Sequence, residues 1–250
     1  MGSNGKACSP YTLSSIGIDA SITEMIRDIL RGQPGLFVIT GQPGTGKTTM
    51  LFSIVREAAN MGIPISLVLE EEYAEIFNFP QEWAVHLEGD TVDSWTTDLN
   101  TVFGVPHLGV VVELDSISSK CGFESAVRIL EEAKNGRWIF TTLETPLVGI
   151  DITYYLQGLG FSAQEVVASL SGIVSLILTP GLCRECREQV GADIGDTRLI
   201  YPDAEEAGLV WKEVGCDKCE QKGIKERCPA VAVVQVDDEV RRIIEVYLRD

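Results

Sequence analysis

An apolar run, Leu36 to Thr40, passes directly into Gly41-Gln42-Pro43-Gly44-Thr45-Gly46-Lys47-Thr48, and a helical pattern follows from Thr48 to Asn60. No other stretch restricts the fold as tightly. The string fits G-x-x-x-x-G-K-[ST], the phosphate-loop pattern, in the strand-loop-helix setting that pattern requires. Its glycines let the backbone turn sharply enough to aim successive N–H groups at phosphate oxygens, and the helix that follows turns its positive dipole end to the same anion. Gly41, Gln42, Pro43, Gly44, Thr45, Gly46, Lys47, Thr48 and Thr49 are therefore the expected nucleotide-binding residues. Lys47 suits the β- and γ-phosphates, and the Thr48 hydroxyl suits magnesium.

Further β-branched runs fall at Ile65 to Leu69, Val110 to Leu114, Trp138 to Leu143 and Val174 to Leu178, with a helical pattern over Phe123 to Lys134. Parallel neighbours need crossover connections, so strands alternating with helices predict an α/β fold with a mainly parallel sheet. Ser21 to Leu30 reads as an amphipathic helix before this core. Ala230 to Val236 reads as a closing strand, with Asp237 and Asp238 capping a helix over Glu239 to Leu248. The expected organisation is a flexible start at 1–10, a core at 11–180, a subdomain at 181–223, and a strand and helix at 224–250 that complete the core.

Phosphoryl transfer also needs a carboxylate at the end of a neighbouring strand. Glu113, at the end of Val110-Val111-Val112, is the expected catalytic partner of Lys47, with Asp115 as the other candidate there. Glu70-Glu71-Glu72 reads equally well as a further carboxylate source or as a solvated turn.

Two Cys-x-x-Cys pairs, Cys183/Cys186 and Cys216/Cys219, stand on either side of residues 187–215. Four thiolates in tetrahedral array suit zinc and leave no open position, so the expected role is structural. A pair of redox dithiols is the competing reading. Cys8, Cys121 and Cys228 read as small packing residues. His86, His107 and the tryptophans are read the same way.

Twenty basic residues against 37 acidic ones leave a formal charge of −17, which disfavours a broad grip on nucleic acid or anionic lipid. No apolar run approaches the roughly 20 residues needed to span a bilayer. Together these features predict a cytoplasmic protein with no nucleic-acid partner and no direct membrane insertion.

Taken in order, the parts resemble the motor domain of the ATPases that drive type II secretion and type IV pilus assembly. The likeness runs from Ile16-Gly17-Ile18 and Ile29-Leu30-Arg31-Gly32-Gln33-Pro34-Gly35 into the phosphate loop. It continues through Glu113-Leu114, at the Walker B position, Thr141-Thr142-Leu143, the cysteine lobe, Gly223-x-x-x-Arg227 and Val236 to Ile244. The resemblance implies a RecA-like core, ATP with magnesium, structural zinc and ATPase activity. It also implies a homo-oligomeric ring such as a hexamer, and inner-membrane secretion or pilus platform proteins as partners that would bring the chain to that membrane peripherally.

Departures from the family pattern fall on charged positions. Leu99 and Phe103 stand where the family has arginines, while Pro106 is kept; Asp115 replaces another arginine, and Arg137 and Glu144 replace two histidines. The family's additional N-terminal domain, a further source of arginines, is expected to have no counterpart among these residues. A missing arginine finger can cost about a thousandfold in rate. A nucleotide-bound subunit with weak or no hydrolysis is therefore the alternative reading. A nucleotide kinase with a zinc-stapled lid is a third, disfavoured by the few basic residues near the cysteines, Arg184, Arg187, Arg198 and Lys212.

Overall fold

The computed structural model describes residues 11–68, 76–85, 99–105, 109–112, 122–158, 160–190 and 210–248. They divide into two compact units, Met1–Leu176 with Val231–Asp250, and Ile177–Ala230.

In the larger unit the elements run α1 (Ala20–Arg31), β1 (Leu36–Gly41), α2 (Lys47–Asn60), β2 (Ile65–Val68), β3 (Gly109–Val112), α3 (Gly122–Lys134) and β4 (Ile139–Glu144). Then come α4 (Ile152–Gly158), α5 (Ala163–Ser169), the start of β5 (Leu170–Leu182), the end of β8 (Ile224–Gln235) and α6 (Asp238–Tyr247). The sheet order is β2-β3-β4-β1-β5-β8, with β1 parallel to both β4 and β5, and β3 parallel to both β2 and β4. This is the α/β core with a mainly parallel sheet that strand-helix alternation predicts.

The strands are buried on both faces, and alternation along each one sorts its side chains between two cores. Leu36 and Val38 of β1, Val110 and Val112 of β3, and Ile139 and Leu143 of β4 join Ile129 and Leu130 of α3, Ile152 of α4, Val166 of α5 and Ile244 of α6. Phe37, Ile39, Val111 and Phe140 point the other way and join Ile26 and Ile29 of α1 and Leu51, Ile54 and Val55 of α2. Helices thus cover both faces of the sheet. Each large side chain fully withdrawn from water in these cores contributes about 1.5–3 kcal/mol.

Helix ends follow the side chains that cap them. Asp19 caps α1 by accepting from the Ser21 amide, and Asp237 caps α6 by accepting from the amides of Glu239 and Val240. Ser162 and Glu165 form a reciprocal capping box at the start of α5, a short helix that the apolar pattern alone did not reveal. Strand β5 begins at Leu170, ahead of the expected Val174: Ser171 and Gly172 interrupt its apolar pattern, and its ladder with β1 continues past Ser171 through a bulge, Leu36 pairing with Leu170 and Phe37 with Gly172. Gly172 leaves room for α1, since a Cβ there would stand 2.8 Å from Ile29 Cγ2.

The smaller unit holds the end of β5, the start of β8 and a two-stranded antiparallel pair, β6 (Glu188–Val190) and β7 (Val210–Lys212). Gln189 pairs with Trp211, and the Arg187 guanidinium lies 4.3 Å from the Trp211 ring centroid.

Candidate nucleotide and metal sites

Strand β1 delivers its last residue, Gly41, between Glu144 of β4 and Leu176 of β5. That position admits no side chain, because a Cβ would fall 2.6 Å from Thr45 Oγ1 and 2.8 Å from the Leu176 carbonyl oxygen. The loop then closes on itself, with the Thr45 hydroxyl donating to the Gln42 carbonyl at 2.8 Å. Gly44 and Gly46 adopt φ of +75° and +91°, a left-handed conformation that other residues enter only with strain.

Gly46 is also the N-cap of α2, and no side chain caps that helix. The first-turn amides of α2 are thus left without a capping side chain, the arrangement that receives an anion at a helix N-terminus. Lys47, the first residue of α2, folds back so that Nζ donates to the Gln42 carbonyl at 3.1 Å. Its ammonium also lies 3.9 Å from Oε2 of Glu144. The lysine side chain is only 11% exposed, whereas that of Glu144 is 54% exposed. Thr48 and Thr49 are half-buried on the same turn, while Met50 to Val55 anchor α2 in the core.

On the far side of β1 a buried hydroxyl pair fixes the turn after β4. The Thr40 hydroxyl donates to Ser175 Oγ at 2.9 Å, and the Gly149 amide donates to the same Ser175 oxygen at 2.9 Å. Thr40 Oγ1 also lies 3.4 Å from the Leu147 carbonyl oxygen. Residues 145–149 are thereby tied to β1, which leads into the phosphate loop, and to its neighbour β5.

Glu113, Asp115, Glu70 to Glu72 and Pro106 lie outside the described residues, as do the two histidines read as packing residues, His86 and His107. Strand β3, which Glu113 follows, is next but one to β1. Leu99 and Phe103 are buried core residues, 1% and 7% exposed. Arg137 is committed to its surroundings. It pairs with Glu132 at 2.9 Å and donates to the carbonyls of Val105 at 2.8 Å and Phe103 at 2.9 Å. Glu144 is the residue whose place at the site periodicity did not reveal, because its approach to Lys47 arises from the parallel register of β1 and β4.

In the smaller unit Cys183, Cys186, Cys216 and Cys219 converge, all four Sγ atoms lying within 4.8 Å of one another. The closest pairs are 3.7 Å (Cys186–Cys219), 3.8 Å (Cys216–Cys219) and 3.9 Å (Cys183–Cys216). A tetrahedron with metal–sulfur bonds of about 2.3 Å has sulfurs about 3.8 Å apart. Backbone amides turn inward as well, Gly215 donating to Cys186 Sγ and both Cys216 and Gly223 donating to Cys219 Sγ, at 3.2–3.3 Å. Burial alone would push the Cys219 thiol up; the hydrogen bonds around it outweigh burial and bring it down to about 6. Such donors favour thiolate, the form that binds metal. Cys8 and Cys121 lie outside the described residues, as does the side chain of Cys228.

A parallel sheet whose central strand ends in a glycine-rich loop, with the lysine at the mouth of the next helix, defines a P-loop nucleotide-binding fold. The family model described as Type II/IV secretion system protein matches residues 122–248, slightly more than half of the chain, and the chain belongs to that family. It is 24% identical over 239 residues to the type II secretion system ATPase E of Vibrio cholerae, covering 93% of this chain and 44% of that protein. It is 26% identical over 243 residues to the type IV pilus assembly ATPase PilB of Thermus thermophilus, covering 96% of this chain and 26% of that one. The chain thus spans less than half the length of either relative. Among solved structures it resembles the pilus retraction motor PilT with bound ADP, at a TM-score of 0.58 and 18% identity, over 97% of this chain and 58% of the other. Among the described residues no helix is long and apolar enough to cross a membrane.

Proposed function

We propose that this chain is the ATP-binding motor unit of a type II secretion or type IV pilus assembly system, and that it hydrolyses ATP to drive assembly of a pilus or pseudopilus. The observation that carries the reading is the union of an uncapped α2 N-terminus with Lys47 on its first turn, after the glycine-rich loop that ends β1, in a chain of the secretion family. The names of its relatives, an ATPase of type II secretion and one of pilus assembly, point the same way.

In this reading the amides of Gly44 to Thr48 and the Lys47 ammonium hold the β- and γ-phosphates. The Thr48 hydroxyl is a ligand of magnesium, which neutralises phosphate charge when bound. Glu113 orients or deprotonates the attacking water, as its place after β3 suggests. A neighbouring subunit of a ring supplies the arginines that Leu99 and Phe103 do not, and platform proteins at the inner membrane receive the movement from the cytoplasm. Residues 181–223 form a lobe held by zinc through Cys183, Cys186, Cys216 and Cys219, and residues 224–250 complete the core.

A second reading keeps the nucleotide and drops the turnover. It is favoured by the burial of Leu99 and Phe103 and by the three partners of Arg137, which leave those positions no cation for a phosphate. A family match that runs through the cysteine lobe favours either reading over a kinase lid. Steady-state phosphate release with magnesium, from wild type, Lys47→Ala and Glu113→Gln, separates the two. The motor reading requires turnover in wild type that falls at least a hundredfold in Glu113→Gln; equal, near-zero rates in wild type and Glu113→Gln favour the silent subunit.

A further inference from the structure

We infer that Glu144 is a built-in competitor for Lys47, a positioning residue that makes the phosphate site depend on magnesium. The inference rests on the reading of Lys47 as a phosphate ligand and adds to it a residue that opposes the phosphate.

The placement of Glu144 is set by the backbone. It is the last residue of β4 and pairs in parallel register with Gly41, the first residue of the phosphate loop. The turn that follows it is pinned at Leu147 and Gly149 by the Thr40 and Ser175 hydroxyls. The carboxylate therefore returns to the same side of the loop as Lys47, at 3.9 Å from Nζ. Lys47 is mostly buried, so its charge is poorly screened, while Glu144 reaches it from the solvent side.

A nucleoside triphosphate without a metal carries about four negative charges at neutral pH, since each phosphate ionises as other phosphate esters do. To bind, it must draw Lys47 away from the Gln42 carbonyl and from Glu144, and its outer phosphate then lies beside the Glu144 carboxylate. Both effects weaken binding. When magnesium accompanies the nucleotide, two of those four charges are offset, and with Lys47 beside the phosphates about one remains to face the carboxylate instead of about three. Glu144 thus costs little in the presence of the metal and much in its absence. An amide at the same position would hold the same space without the charge.

The test measures the dissociation constant of ATP, ADP and AMP for wild type and Glu144→Gln by calorimetry, once with magnesium and once with EDTA. In EDTA Glu144→Gln is expected to bind ATP about threefold to tenfold more tightly than wild type, the range for a partly exposed charge pair. With magnesium the two proteins should agree within about twofold. The gain should shrink from ATP to ADP and vanish for AMP, which does not reach Lys47. A Glu144 that only supports the fold would shift thermal stability instead and leave the magnesium dependence unchanged. ATP affinity in EDTA that is equal in the two proteins, with normal binding in magnesium, overturns the inference and leaves the nucleotide site standing. No ATP binding by either protein in either condition overturns the nucleotide-site reading and the inference together.

Discussion

The hydroxyl of Thr40 donates to that of Ser175 at 2.9 Å, joining β1 to β5 one residue before the phosphate loop begins. Both residues are essentially without solvent contact, at 0% and 1% exposure, and Ser175 Oγ is also the acceptor for the Gly149 amide. Ser175→Ala removes the acceptor of both donors at once. It should cost about 1–3 kcal/mol, the penalty for leaving buried polar groups unpaired. Urea unfolding checks this, and Thr40→Val combined with Ser175→Ala should cost less than the sum of the two single changes, because they share one bond.

Gly41→Ala should damage both stability and the phosphate site. The added methyl meets a backbone carbonyl, that of Leu176, which cannot turn aside as a flexible side chain does. A loss of about 1–3 kcal/mol is expected from the forced shift, with nucleotide affinity falling as well because the loop must move. Denaturation and nucleotide titration of the same preparation test the two effects.

Arg137 should behave as a structural clamp. Its guanidinium joins Glu132 to the carbonyls of Phe103 and Val105, and both members of the ion pair are nearly buried, at 10% and 12% exposure. Arg137→Ala takes a donor from two carbonyls and from Glu132, which keeps its pair with Arg128 at 2.8 Å, and should destabilise by about 1–3 kcal/mol. Arg137→His should fail to restore stability, since an imidazole has too few donors for three acceptors. Thermal unfolding is the readout; a fall in turnover at unchanged stability would instead make Arg137 part of the chemistry.

Chelation should act on the cysteine lobe. With the metal bound, metal analysis is expected to find about one zinc per chain, and Cys219→Ser should reduce it strongly. Removing the metal should expose the amides of β6 and β7 to exchange and alter the surroundings of Trp211, which Arg187 now covers. Hydrogen exchange and the fluorescence of a variant retaining only Trp211 follow these changes.

How much of this was legible beforehand depended on whether a signal was local. The phosphate loop was, because strand, glycine string and helix are contiguous and each is needed for the same turn. The cysteine cluster was legible from spacing, since two knuckles of one shape have few other uses. The start of β5 was not, because Ser171 and Gly172 serve long-range purposes, a bond to the Gln33 carbonyl and room for Ile29, at the expense of an apolar pattern. Helix α4 and the β6–β7 pair were missed for a related reason, being too short for periodicity to stand out. The meanings of Arg137 and Glu144 were the least accessible. One is set by carbonyls more than 30 positions away and the other by strand register, and neither leaves a local trace.

The central claim is that the loop from Gly41 to Thr48 is a working nucleotide site. Calorimetric titration of ATP with magnesium into wild type and Lys47→Ala tests it most directly. The account predicts one site per chain in wild type and a loss of at least tenfold in affinity in Lys47→Ala, with the fold intact by circular dichroism. Equal affinity in the two proteins, or no binding by a folded wild-type chain, would contradict it.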